Sequence, residues 1–118
     1  MVTLIGMGSG SWEALSAQAQ DAVRRAGLVF GAKRLLAGLP PECTARQFAL
    51  YQPAEILETL AQAPGQDAAV LYSGDTGFYS GASGLLTPLR ALGIPARVYP
   101  GVSSIQLLAA ALGRPWQD

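Results

Sequence analysis

One stretch near the middle of the chain, residues 68–81, restricts the fold more than any other. It begins with an apolar run, Ala68–Tyr72, that is typical of a buried strand, and it stops in a turn of small and polar residues before a helical pattern resumes. A strand that enters a helix through a glycine-rich turn places that turn at the carboxyl edge of a parallel sheet, where open α/β folds bind ligands. Gly74 and Gly77 have no Cβ, so a ligand can lie against the backbone there.

The same order of strand, turn and helix recurs along the chain. The predicted strands are Val2–Ile5, Leu28–Phe30, an edge strand at Ala45–Leu50, Ala68–Tyr72 and Ala96–Tyr99. The predicted helices are Ala14–Ala26, a short one within 31–36, Ala54–Ala63, Ser83–Leu92 and Ile105–Leu112. Pro88 falls inside the fourth helix and predicts a kink or a late start. Because the strands are continuously apolar, we predict an α/β fold with an open, mostly parallel five-stranded sheet and helices on both faces.

Composition excludes several classes of protein. Eight basic residues balance eight acidic ones without a basic stripe, so no nucleic-acid partner is expected. The absence of histidine excludes His-based triads and metal sites, and the single Cys43 excludes an internal disulfide and fits a reducing compartment. The apolar runs are too short to span a membrane, so we expect a cytoplasmic protein. Only 14% of the residues are charged, which suggests that another domain or subunit covers part of the surface.

A dinucleotide site is the first alternative, because Gly6, Gly8 and Gly10 follow the first strand. The third glycine of a nicotinamide or flavin fingerprint would fall at position 11, which is Ser11, and no acidic residue follows the second strand at the required distance. A non-catalytic, flavodoxin-like interaction domain is the second alternative. A phosphate-accepting receiver would need an acidic cluster at the end of the first strand, and residues 6–11 have none.

Several polar residues in these turns have both a structural and a functional explanation. Asp75, Ser103 and Ser104 are good helix caps, yet the same hydroxyls and carboxylate, with free backbone N–H groups, suit a polar ligand. Lys33 and Arg34 are either solvated charges or a basic pair placed for a substrate carboxylate. The pair stands at the carboxyl end of a strand in a chain with few charges, which favours the second explanation.

Three turns together resemble the tetrapyrrole methylase superfamily: VTLIGMGSG at 2–10, LYSGDTGFY at 71–79 and VYPGVSS at 98–104. VFGAKRLL at 29–36 and LGRPWQD at 112–118 are similar to the branch that methylates precorrin-6Y at position 5 of the corrin ring in cobalamin biosynthesis. The resemblance implies an enzyme of two α/β domains with S-adenosylmethionine held between them. Residues 1–113 match the first domain, and 114–118 match the start of a linker to the second. We expect this half to be inactive without the other.

The resemblance also implies site residues. Those for the cofactor are Ser9, Ser73, Gly74, Asp75, Phe78, Ser103 and Ser104. Phe78 is equally explained by packing. For the corrin precursor we expect the side chains of Lys33 and Arg34, helped by backbone N–H groups at Gly8 and Gly10.

The sequence also departs from the superfamily pattern. Ser9 and Thr76 stand where relatives commonly have proline, and Ala32 stands where some have a proposed aspartate base, so no catalytic base is assigned. The expected partners are the second methylase domain, a further copy of the enzyme, and an enzyme that methylates position 15 and removes a carboxyl group.

Overall fold

The computed structural model describes residues 1–7, 12–72 and 84–99. These residues contain a five-stranded sheet in the order β3-β2-β4-β1-β5, and all four pairings between neighbouring strands are parallel. The strands are β1 Val2–Gly6, β2 Leu28–Phe30, β3 Arg46–Phe48, β4 Ala68–Tyr72 and β5 Ala96–Tyr99. The predicted α/β fold with an open parallel sheet is therefore confirmed, with β4 at the centre and β3 at an edge.

Helices cover both faces of this sheet. They are α1 Ala17–Arg25, α2 Lys33–Ala37, α3 Pro53–Ala61 and α4, residues 84–91. On one face, here the α3/α4 face, Ile56 and Leu85 pack with Phe30 and Val70. On the other, the α1/α2 face, the buried side chains of α1 and α2 pack with β-strand residues such as Leu71. β1, β2 and β4 are buried along their whole length, as strands covered on both faces must be.

The ends of two helices differ from the sequence-based prediction. α1 begins at Ala17 and not at Ala14, because the Ser16 side chain accepts a hydrogen bond from the Ala19 N–H (3.2 Å) and caps the helix there. A separate 3₁₀ turn, Trp12–Ala14, precedes it. α3 begins with Pro53 in its first turn, as expected, and ends two residues early at Ala61.

α4 runs through Pro88 over residues 84–91, so this proline does not break it. Leu85 and Leu89 are buried, whereas Leu92 lies beyond the helix and is 64% exposed. The predicted helix Ile105–Leu112 and the linker at 114–118 lie outside the described residues. No helix within the described ranges is long and apolar enough to cross a membrane.

Gly31 is the point at which the chain leaving β2 comes closest to β4. A Cβ on Gly31 would stand 3.2 Å from the Leu71 Cβ and 3.3 Å from the Leu71 carbonyl oxygen. Because Leu71 is buried and paired with Ile5 of β1, it cannot easily move aside, and we expect Gly31→Ala to lower the free energy of unfolding by about 1–3 kcal/mol. Urea denaturation measures this difference.

Gly27→Ala is the matched control for Gly31→Ala. A Cβ at Gly27 would meet the Gln66 side-chain amide, which is the free end of an exposed side chain and can move aside. We expect a change within about 0.5 kcal/mol there. Equal destabilisation by the two substitutions would show that the contact with Leu71 does not control the β2–β4 junction.

Candidate functional site

The carboxyl ends of β1, β4 and β5 lie side by side. Gly6 pairs with Tyr72 across β1 and β4, and Ile5 pairs with Tyr99 across β1 and β5. The chain segments that follow these three strands therefore leave the sheet at one edge, from adjacent strands. This is the edge at which the sequence predicts a ligand site, and we call it the carboxyl rim.

A crevice is expected on this rim between β1 and β4, because the next described elements after the two strands lie on opposite faces of the sheet. After β1 it passes through Met7 and Trp12, which are buried on the α1/α2 face. β4 is followed by α4, whose Leu85 is buried on the α3/α4 face. The Met7 N–H donates to the Tyr72 carbonyl oxygen (2.8 Å), so the two strands remain hydrogen-bonded to that point. Such a divergence between neighbouring strands is where open α/β sheets bind ligands.

Trp12, which directly follows residues 8–11, is held by α1 and by the loop before β3. Its ring is buried, and the Arg24 guanidinium lies 5.5 Å from the ring centroid. The Gln20 side-chain amide donates to the Trp12 carbonyl oxygen (3.0 Å). Arg24 is in turn paired with Glu42 at 2.9 Å. These contacts fix the point at which the chain returns from the rim to the core.

Tyr72, the last residue of β4, places a phenol in the core directly beneath the rim. Its side chain is 7% exposed, and burial raises its pKa well above the ordinary value for tyrosine, because the phenolate would lose its solvation. The phenol therefore stays protonated at neutral pH.

β2 and β3 end closer to the amino edge of the sheet than β4 does. Phe30, the last residue of β2, pairs with Val70 of β4, two residues before that strand ends, which is an offset of roughly 6–7 Å along the strands. Phe30 also pairs with Phe48, the last residue of β3. The connections that follow, residues 31–34 and 49–52, form a recessed part of the carboxyl rim that we call the β2–β3 shelf.

Lys33 and Arg34 stand on this shelf, at the start of α2. Both side chains are exposed, and neither forms an ion pair with another described residue. α2 has only five residues and Arg34 already belongs to its last turn, so the helix dipole does not distinguish the two explanations of this pair. Both side chains are in a position to bind an anion.

Tyr51 is an exposed aromatic residue on the same shelf that the sequence analysis did not single out. It lies three residues after β3 and is 61% exposed. Three residues before it, Phe48 stacks on Phe30 with ring centroids 5.3 Å apart. The sequence feature that could have identified Tyr51 is its place in the short loop between a predicted strand and Pro53, which begins the next helix.

The other predicted site residues lie outside the described residues. They are Gly8, Ser9, Gly10, Ser73, Gly74, Asp75, Phe78, Ser103 and Ser104. Each belongs to a segment that starts at the carboxyl ends of β1, β4 or β5. Across the three described ranges, no cluster of acidic or cysteine side chains forms a metal site.

Comparison with protein families matches residues 1–118 to the Tetrapyrrole (Corrin/Porphyrin) Methylases. Among curated proteins, the chain is 32% identical over 120 residues to the precorrin-4 C(11)-methyltransferase of Rhodococcus erythropolis, covering 96% of this chain and 48% of that protein. It is also 32% identical over 120 residues to the cobalt-precorrin-7 C(5)-methyltransferase of Salmonella typhimurium, covering 100% of this chain and 58% of that protein. The chain thus spans about half the length of the curated relatives it matches.

A solved structure of the same kind supports the fold. The uroporphyrin-III C-methyltransferase of Thermus thermophilus in complex with S-adenosylhomocysteine superposes with a TM-score of 0.64 at 27% identity, over 93% of this chain and 47% of that one. Tetrapyrrole methylases use S-adenosylmethionine as their methyl donor. The nicotinamide and flavodoxin-like alternatives have no counterpart among these matches.

Proposed function

This chain belongs to the tetrapyrrole methylase family, and from that premise we propose that it forms the first half of an S-adenosylmethionine-dependent methyltransferase acting on a precorrin or cobalt-precorrin. The observation that carries the proposal is the carboxyl rim. There β4, β1 and β5 end in adjacent positions, so three turns rich in glycine and serine start from one edge. We propose that these turns hold the cofactor and that the shelf side of the rim meets the macrocycle.

The described residues fit a nucleoside cofactor in one respect. The elements that follow β1 and β4 lie on opposite faces of the sheet, because Trp12 is buried on the α1/α2 face and Leu85 on the α3/α4 face. S-adenosylmethionine supplies a methyl group that is already activated, so no residue has to generate an electrophile. The task of the chain is to align donor and acceptor, and alignment of this kind contributes a large share of catalysis. The contacts of Gln20 and Arg24 with Trp12 contribute to this alignment, because they fix the residue that follows the proposed cofactor turn at 8–11.

Position 5 of the ring is the methylation site that we propose. The sequence resembles the precorrin-6Y branch, and the cobalt-precorrin-7 C(5)-methyltransferase of Salmonella typhimurium covers the whole of this chain. Position 11 is the second candidate, because the Rhodococcus erythropolis precorrin-4 enzyme is equally identical. We further propose that the complete protein contains a second domain that closes the cofactor cleft, assembles as a homo-oligomer in the cytoplasm, and works with an enzyme acting at position 15.

The test begins with cofactor binding. S-adenosylhomocysteine is titrated into the complete protein by calorimetry, and binding with one site per chain is expected. The protein is then incubated with methyl-labelled S-adenosylmethionine and either cobalt-precorrin-7 or precorrin-4, and NMR of the product locates the new methyl group. Labelling at position 5 supports our proposal and labelling at position 11 supports the alternative. Absence of S-adenosylhomocysteine binding contradicts both.

A further inference from the structure

We infer that Tyr51 is a substrate-contacting residue whose ring packs against the conjugated face of the macrocycle while Lys33 and Arg34 bind its carboxylates. The inference rests on the proposed function and adds to it a residue and a binding mode. It starts from the exposure of Tyr51, which is 61% accessible on the β2–β3 shelf. The two other large exposed apolar side chains among the described residues, Met1 and Leu92, both line a cavity at the opposite, amino edge of the sheet.

The shelf brings the aromatic ring and the cations to neighbouring positions. Lys33 lies three residues beyond the end of β2, and Tyr51 lies three residues beyond the end of β3. The two strand ends are bonded to each other, because Phe30 and Phe48 pair and stack and the Gly31 N–H donates to the Phe48 carbonyl oxygen (3.2 Å). Adjacent strands are about 4.8 Å apart, so both connections start within one macrocycle's width.

The charges on the shelf distinguish a ligand from ordinary surface. Glu55, in the first turn of α3, is explained by the helix, because negative charge is stabilised there. Lys33 and Arg34, in the five-residue α2, are exposed and form no ion pair with a carboxylate of the described residues, so both charges are available to a ligand. A conjugated macrocycle with carboxylates at its edge would offer a face for the exposed ring of Tyr51 and anions for the two cations. A covering protein domain would instead have to bury these charges.

The experiment uses uroporphyrin III as the probe, a planar tetrapyrrole with carboxylate side chains, titrated into the complete protein by absorbance. Tyr51→Ala is expected to weaken binding about five- to tenfold, and Tyr51→Phe is expected to restore it to within about twofold, because stacking needs the ring and not the hydroxyl. The Tyr51→Ala loss should persist at high salt, because stacking is not a charge interaction. Leu92→Ala is the control, as exposed as Tyr51 but at the opposite edge, and should change nothing.

S-adenosylhomocysteine affinity, measured on the same variants, separates this inference from the proposed function. We expect it to be unchanged in all of them. Unchanged uroporphyrin affinity in Tyr51→Ala overturns the inference, as does wild-type protein that binds S-adenosylhomocysteine but not uroporphyrin. A loss in Tyr51→Ala that accompanies subunit dissociation or a lower Tm overturns it too, because Tyr51 would then be an interface residue. Wild-type protein that binds uroporphyrin through Tyr51 but not S-adenosylhomocysteine overturns the cofactor proposal alone.

Discussion

Gly74→Val in the complete protein is expected to weaken S-adenosylhomocysteine binding by roughly a hundredfold or more. Gly74 comes two residues after Tyr72, where β4 ends at the centre of the carboxyl rim. If the cofactor lies against the backbone of this turn, the added isopropyl group of valine occupies space that the ligand needs. Calorimetric titration measures the change in Kd, and Gly74→Ala should give a smaller loss because it adds one methyl group.

Gly84→Val is the control for this substitution. Gly84 is exposed on α4, and among the described residues a Cβ there would meet only the Pro53 Cγ, at 3.5 Å, an ordinary contact distance. The variant should therefore bind S-adenosylhomocysteine like the wild type. If Gly74→Val binds the ligand normally, the turn after β4 does not approach the cofactor and the proposed pocket is misplaced.

The core of the fold was predictable because buried parallel strands need unbroken apolar runs. Ala68–Tyr72 and Leu28–Phe30 were predicted with the bounds that the structure has. Helix starts were less predictable, because a cap depends on local backbone geometry that competes with the apolar stripe. Ser16 looked like any polar residue within a helical pattern, and only its extended backbone (φ −64°, ψ 159°) and its bond to Ala19 show that the helix begins after it.

The sequence predicts a site on the carboxyl edge of the sheet, because parallel strands share that edge, but it does not predict which strands are neighbours. That β4 lies between β2 and β1 depends on packing between distant segments, and it is this order that makes the turns adjacent. The two-residue offset between Phe30 and the end of β4 is set by the strand register, which also depends on packing between distant segments. This offset creates the shelf on which Tyr51 is exposed.

Removing both cations of the shelf, with Lys33→Ala and Arg34→Ala combined, is expected to weaken tetrapyrrole binding roughly 30-fold and to raise substrate KM, with S-adenosylhomocysteine affinity unchanged. Each contact is modest because both side chains are exposed and water screens them. For the same reason the loss should shrink as salt rises, whereas that of Tyr51→Ala should not. Titration of uroporphyrin III at two salt concentrations measures both effects.

Arg90→Ala serves as the control for a general effect of net charge. Arg90 is exposed near the end of α4, where the chain has returned to the amino edge, and it forms no ion pair with any residue of the described ranges. If binding depended on overall charge, this variant would lose affinity in proportion, but we expect no change.

The exchange Lys33→Arg with Arg34→Lys keeps both charges and should retain most of the affinity. Equal affinity in the double alanine variant and the wild type would remove the shelf cations from the substrate site, because the rim would then bind the carboxylates elsewhere.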